Sequence, residues 1–544
     1  MIKLVSVFIV LFIVQLLPAQ TLPVGTPVLG EYVRRQQLLG DSVHPASLML
    51  QPVFNAPPAD QWFELKRMPF IWKQVYTSDH PFNFNDGAMI PNRGYQTLVS
   101  TGLFFRAGIL SVQLMPEFVY AENREFDGLP EALNKKVWNV YNKVKNDIDL
   151  PDRFGDKPYQ KLFWGQSSAR LTYKSLSVGI SNENLWWGPG MKNTLLMTNN
   201  APGFMHLTFN TVKPIKTPIG SFEWQLIGGR LEASGFPGVD TLKMAERGIK
   251  VRPKRNDWRY LNAMTVNYQP SFLPGLVLGA TRSFSIYGSN ITNNYRTWFP
   301  LFEPIFKIEV GGEVADTIGS DQLASVYARW LMPESHSEFY VEFGRADHSW
   351  DVTDFALEPD HYRAYIAGFR KMVPLNVKRK EYLDLQAEMT VFNRNLVTSL
   401  RVSNTPASWY THYRVRHGYT HLGQVLGSGI GLSSNMQTAS ISWVRGMKRV
   451  GLELMRYAHD EDFWAYISQT TGYGDYRTHW VDLGAALLAD WDFKKMLVSF
   501  KLHAIGSINY MFYYDPIPSD PPFWWDRGKV RYNVVGELGV VYLF

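Results

Sequence analysis

The sequence predicts an all-β chain: a transmembrane antiparallel β-barrel with short helical plug or periplasmic elements. Three observations carry that prediction. The chain opens on an export leader, no apolar run beyond it is long enough to cross a bilayer as a helix, and several segments alternate apolar with polar residues at a period of two. An exported chain without such helices can still cross lipid as a closed barrel, because closure satisfies every backbone donor and acceptor.

The leader comes first. Lys3, the apolar run Leu4 to Val14 and the small Ala19 ahead of Gln20 read as a secretory signal peptide over residues 1–19. Farther on, the uncharged stretch Leu422 to Val444 carries Gln424, Ser428, Ser433, Ser434, Asn435 and Gln437, too polar a set for a membrane helix. Composition agrees with an exported barrel. The 544 residues include 18 Trp, 28 Tyr and 33 Phe, which excludes disorder, and 42 Gly and 32 Pro scattered without a repeat, which implies many turns. The absence of Cys removes disulfides, thiolate metal sites, Cys nucleophiles and an N-terminal lipidated Cys. A net charge of +6, with 55 basic and 49 acidic residues read as interspersed, gives no stripe that could track nucleic-acid phosphates. Such a mild excess suits anionic lipid headgroups or an anionic polysaccharide.

Residues 20–90 are expected to form an N-terminal periplasmic or plug region, and residues 91–544 the barrel. Within the first, Leu29, Tyr32, Val33, Gln36 and Leu39 make a short helical stripe ending near Gly40. The barrel opens with strands Thr97 to Phe105 and Ile109 to Val119 around Arg106-Ala107-Gly108. A helical insertion follows over 130–149, where Leu133, Val137, Val140, Tyr141, Val144 and Ile148 recur at helical spacing, with Pro130 in the first turn and Pro151 as the stop. From Leu383 to Val391 the odd positions are apolar and the even ones are Asp384, Gln386, Glu388 and Thr390. Two more strands flank an expected turn at Asp490-Trp491-Asp492. At the end, Tyr532, Val534, Leu538, Val540, Tyr542 and Phe544 share one face, opposite Arg531, Asn533 and Glu537. An amphipathic strand closing on a terminal aromatic resembles the strand that barrel-assembly machinery recognises in outer-membrane proteins. Sixteen to eighteen spanning strands would use roughly 150–200 residues, leaving much of the chain for long loops and a plug.

Catalytic motifs are missing: there is no Walker lysine loop, no H-E-x-x-H and no G-x-S-x-G. His417 and His421 stand four apart, but Gly418, Tyr419 and Thr420 between them are poor helix formers, so neither a metal nor a cofactor is expected. Two clusters stand out. In the first, Asn184, Trp186 and Trp187 precede Gly188-Pro189-Gly190, and Asn199-Asn200-Ala201-Pro202-Gly203 follows. Indole faces stack on sugar rings while amides supply directional hydrogen bonds; the same residues would equally serve as barrel aromatics around a turn. The second runs from Trp409 to His421 and includes Tyr410, His412, Arg414, Arg416, Tyr419 and His421. Its arginines could pair with a uronate or sialate carboxylate, or the whole cluster could be an inward polar network holding a plug. A third group, Glu342 with Arg345 and Asp347, places its carboxylates on opposite strand faces and does not define acid/base chemistry.

The words NENLWWGPGMKNTLLMTNNAPGF, SFEWQLIGGRLEASG, YVEFGRADHSWDVTDF with EPDHYRAYIAGF, and WYTHYRVRHGYTHLGQVLG resemble the capsule-assembly Wzi family of outer-membrane proteins. The resemblance runs from about residue 90 to the end. It implies an outer-membrane barrel of about 18 strands in a Gram-negative bacterium, a periplasmic helical element, and a lectin-like role with capsular polysaccharide. The expected polysaccharide contacts are then Trp186, Trp187, Asn184, Asn199, Asn200, Tyr410, His412, Arg414, Arg416, Tyr419 and His421. Expected partners are capsular or exopolysaccharide, outer-membrane lipids, the barrel-assembly machinery through the strand ending at Phe544, and a capsule export apparatus; nucleic acid is not one. A sugar-selective porin is the main rival, and an outer-membrane enzyme acting on lipid or glycan the remote one.

Overall fold

The computed structural model describes residues 21–41, 46–54, 62–302, 309–310, 313–314, 319–346, 362–392, 409–474, 476–517 and 528–544; the leader, Asp347 and His348 lie outside them. Eighteen antiparallel strands can be followed among these residues once segments broken by a short kink are joined. Strands β1 (Phe63–Arg67 and Phe70–Thr77), β2 (Gly94–Ser100 and Leu103–Ala107), β3 (Leu110–Leu114 and Glu117–Ala121) and β4 (Tyr159–Phe163 and Ser168–Tyr173) are kinked. Then come β5 (Leu176–Ser181), β6 (His206–Thr211 with Ile215–Thr217), β7 (Gly220–Leu231), β8 (Arg259–Pro270), β9 (Leu276–Tyr287), β10 (Asp321–Met332) and β11 (Ser337–Ala346). The wall continues through β12 (Arg363–Asn376), β13 (Glu381–Val391), β14 (Asn435–Arg445), β15 (Lys448–Ala458), β16 (Val481–Phe493), β17 (Met496–Ile508) and β18 (Val530–Tyr542). Pairing of β18 with β1, from Val541 opposite Ile71 to Val535 opposite Thr77, closes the barrel.

Period-two alternation places the two faces. On β15 the outward Val450, Leu452 and Leu454 are exposed and the inward Glu453, Met455 and Tyr457 are buried. On β18 Tyr532 and Val534 face out while Asn533 and Val535 face in, as the sequence predicts. Tyr173, Trp330, Phe493 and Tyr542 stand outward at one end of their strands, an aromatic girdle of the kind membrane barrels carry.

Three sequence expectations need correction. The barrel starts well before residue 91, because β1 lies at 63–77 and supplies the edge that closes on β18. Strand β16 runs through Asp490, Trp491 and Asp492 to Phe493, and the turn falls at Lys494-Lys495, where Lys494 adopts a φ of 52°. Alternation persists there: Asp490 points inward to Arg449 at 2.7 Å and Trp491 points outward. The inserted helix starts at Lys135, not near Pro130, because Asn134 caps it by accepting a hydrogen bond from the Val137 amide.

Connections segregate by length. Those of two to five residues (for example 108–109, 446–447 and 494–495) lie at one end; the long loops lie at the other. The loops used below are L1 (78–93), L2 (122–158), L3 (182–205), L4 (232–258), L5 (288–320), L7 (392–434) and L8 (459–480). Helix α1 (Leu29–Leu38) sits inside the short-turn end, anchored by charge: Arg34 pairs with Glu338 at 2.8 Å, Glu31 with Arg370 at 3.0 Å, and Arg35 donates to the Gly446 carbonyl. Against the cost of burial, Arg370, Arg449, Arg35 and Lys192 hold the Glu31 carboxyl below the ordinary carboxylate range. At the far end α2 (Lys135–Asn146) packs on α3 (Glu461–Thr470) through Tyr141 and Phe463. Between the ends, Trp187, Leu195, Phe204, Tyr410, Tyr419 and Ile430 from the loops pack in one cluster with Leu98, Leu261, Ile366 and Val535 of the wall. The lumen is therefore occupied by folded chain.

Candidate functional site

The first aromatic cluster lies inside that filling. L3 turns into the lumen after Glu183, whose buried carboxylate bonds Arg170 at 2.6 Å and the Ser181 hydroxyl at 2.9 Å. Trp186 and Trp187 pair as a short strand with Leu50 and Gln51, and the Trp187 indole donates to Gln225 at 3.0 Å. Glu388 on β13 accepts hydrogen bonds from the Met191, Lys192 and Asn193 amides, pinning the next turn to the wall. Asn184 donates to the Ala201 carbonyl, Asn199 to that of Asn85 and Asn200 to that of Val425, each bond tying L3 to itself or to a neighbouring loop. Trp187 is 0% exposed and Trp186 7%, and Asn184 and Asn199 are buried, so these residues offer no face to a polymer. In this structure these side chains latch L3 into the barrel, with Asn200 half-buried beside them.

The second cluster divides. Tyr410 donates to the Leu195 carbonyl at 2.7 Å and accepts from the Ser428 amide, and Tyr419 stacks on Tyr410; both rings are buried. His421 accepts from the Glu232 amide at 3.1 Å, and burial with Arg259 and Lys161 nearby pushes its pKa down to about 3. The His417 ring meets the Tyr287 hydroxyl at 2.8 Å and, buried beside Arg259, is likewise pushed down to about 3. Both imidazoles are thus neutral internal partners, and Tyr410, Tyr419 and His421 stand in the inward polar network that the sequence offered as the alternative reading.

His412 and Arg414 emerge at the outer end of the same loop, where Arg416 is buried. His412 is half-buried and accepts from the Val415 amide at 3.0 Å. Arg414 is exposed, its guanidinium 5.3 Å from the Tyr413 ring, and that ring is 64% exposed. Arg416 reaches across to L4, donating to the Pro253 carbonyl at 2.9 Å and the Arg252 carbonyl at 3.1 Å, with Asp147 of L2 at 3.8 Å.

That contact exposes a feature the charge reading passed over. From Arg247 to Arg255 five cations (Arg247, Lys250, Arg252, Lys254, Arg255) occur with no acidic residue among them. A whole-chain balance hides such a run; a short sliding window would have found it. Lys250, Arg252 and Arg255 are exposed, whereas Val251 packs inward against the lumen core. Lys254 donates to the Lys145 carbonyl at 2.8 Å, and burial together with Arg416 and Lys145 lowers its pKa to about 8 despite Asp149 and Asp147. Arg255 lies 4.8 Å over the Tyr287 ring and bonds Asn290 of L5 at 3.2 Å. The acids in the neighbourhood include Asp147, Asp149, Asp152 and Asp257: Asp149 accepts from the Ser234 amide, Asp152 faces Lys145 at 2.7 Å, and Asp257 bonds Ser289 and faces Arg255 at 3.5 Å. L2, L4, L5 and L7 thereby build one cationic, partly aromatic face at the long-loop end.

Several solved structures align with this chain. Wzi of Escherichia coli, described as an outer membrane protein involved in group 1 capsule assembly and as a carbohydrate-binding β-barrel, aligns over 97% of this chain and 100% of its own, with a TM-score of 0.57 at 12% identity. Acinetobacter baumannii OccAB4 aligns over 90% of this chain and 99% of its own with a TM-score of 0.38 at 10% identity. Pseudomonas aeruginosa OprD covers 88% and 92%, with a TM-score of 0.38 at 8% identity. No curated protein sequence matches the chain. The family model for capsule assembly protein Wzi matches residues 108–498, well over half the sequence. With its barrel closed around folded loops and its sequence matched over that span, the chain belongs to the Wzi capsule-assembly family.

Proposed function

We propose that this chain is a non-catalytic outer-membrane barrel that binds capsular or exopolysaccharide at its long-loop face and so takes part in capsule assembly or attachment. In such barrels the short turns face the periplasm and the long loops the exterior, which would set α1 toward the periplasm and the L4–L7 face toward the cell surface. The observation that carries the reading is the pairing of a lumen packed with its own loops and an outer face rich in cations and open aromatic rings. A repeating polymer can engage such a face many times over, so that modest single contacts add up. Outward Phe544, 48% exposed at the chain end, supports assembly through the C-terminal strand.

A sugar-selective porin would need an open path where α1, L1, L3 and L7 now pack. Planar-bilayer conductance and binding of the host strain's own surface polysaccharide, measured on the same purified protein, test the choice. Saturable binding with little conductance is expected. Sugar-blocked conductance without polymer binding would establish the porin instead.

A further inference from the structure

Resting on that reading, we infer that the face built by Arg252, Lys254 and Arg255 of L4 with Tyr413 and Arg414 of L7 is a binding site for an acidic polysaccharide, whose carboxylates it holds. The sign of the face is the first reason. Lys145, Arg252, Lys254, Arg255, Arg414 and Arg416 gather there against Asp147, Asp149, Asp152 and Asp257; Lys145 pairs with Asp152 at 2.7 Å, and Asp147 and Asp257 each face an arginine, which leaves the cations in excess. Positive charge so concentrated repels itself and is relieved by a polyanion.

The second reason is preorganisation. Val251 packs inward against the core while its neighbours Lys250 and Arg252 stand in solvent. Beneath them Arg416 binds the backbone carbonyls of Arg252 and Pro253, fixing the segment without engaging its outward guanidinium. A segment already held in shape loses little freedom when a ligand docks. The third reason is chemistry. Guanidinium forks match carboxylate oxygens in pairs, whereas a neutral glycan gives them only hydroxyl acceptors. Tyr413, exposed beside Arg414, offers a ring for the C–H face of the same sugar.

The test uses full-length protein in detergent with three polymers (polygalacturonate, its carboxyl-reduced neutral form, and the host strain's own surface polysaccharide) and, separately, with purified lipopolysaccharide. Native protein should bind polygalacturonate at least 10-fold more tightly than the reduced polymer, and less tightly as salt rises. The double variant R252A/R255A should lose at least 10-fold in affinity for polygalacturonate. A charge-matched control, K494A/K495A in a short turn, should lose none, and unchanged thermal unfolding in both keeps the comparison valid. Equal binding of the reduced polymer, or full affinity in R252A/R255A, overturns the inference. If the strain's own polysaccharide still binds in that case, the capsule reading survives without it; if native protein binds none of the three polymers, both fail. Loss confined to lipopolysaccharide binding would reassign the face to lipid phosphates and likewise overturn it.

Discussion

Arg416 lies under the backbone of Arg252, donating from Nη2 to its carbonyl at 3.1 Å while Nη1 reaches the Pro253 carbonyl at 2.9 Å. One loop thus holds the cationic segment of another, 164 residues away in sequence. Replacing Arg416 by Ala removes two charge-assisted bonds, each worth about 1.5–3 kcal/mol to its acceptor. Tryptic cleavage at Lys250, Lys254 and Arg255 should accelerate by roughly tenfold or more on that scale, with the barrel strands as resistant as before. Unchanged protection of that segment would show that L4 is held by other contacts.

Lys254 makes the face sensitive to pH. Its ammonium is depressed to about 8 by burial and by Arg416 and Lys145. Because the folded pKa lies below the unfolded one, charging this lysine opposes folding, and that opposition is relieved as pH rises through about 8. A carboxylate docked beside it raises the pKa again. Affinity for an acidic polymer should therefore decline as pH rises from about 8 toward 10, with proton uptake on binding in that window. Titration calorimetry in two buffers of different ionisation enthalpy reads this directly; a heat independent of buffer at pH 8.5 would remove Lys254 from the contact.

Trp187 fills the lumen, and its loss should act on stability. Trp187→Ala leaves a cavity in a fully buried site and orphans the Gln225 carbonyl oxygen, at a cost of about 3–5 kcal/mol. A lowered unfolding temperature, with normal polymer affinity in the folded fraction, is the expected result. Weakened binding at unchanged stability would restore the indole as a sugar contact.

Glu338 decides whether α1 stays in place. It meets Arg34 at 2.8 Å and the Arg329 Nε at 2.6 Å with no exposed side-chain surface, so Glu338→Gln leaves two buried guanidiniums short of their counter-charge. Removing one member of a buried pair costs about 3–5 kcal/mol. Faster proteolysis of the N-terminal segment and a rise in bilayer conductance should follow. A quiet bilayer with rapid proteolysis would mean that the loops alone close the pore.

The strands were legible because their signal is local. Tyr532, Val534 and Tyr542 face lipid and Asn533 faces the lumen by the plain alternation of the chain, and Leu29–Leu38 shows its helical stripe at its true place. The barrel's beginning was less so, since β1 is kinked at Met68-Pro69 and interrupts the period. Trp186-Trp187 was open to two readings for a different reason. A loop folded against a polar inner wall needs the same aromatics, amides and glycines as a loop that binds a sugar, and composition does not distinguish inside from outside there.

By itself, then, the sequence determined the class of fold, the lipid-facing and lumen-facing sides of its strands, and the membership of its motifs in one family. Tertiary structure alone decided which of those motifs reach solvent. It sent the Trp pair, Tyr410, Tyr419 and His421 into the lumen and brought Arg414 and Arg416 beside Arg252 and Arg255. The reason is physical: alternation along a strand is fixed by backbone geometry residue by residue, whereas the burial of a loop depends on what the closed wall leaves to be filled.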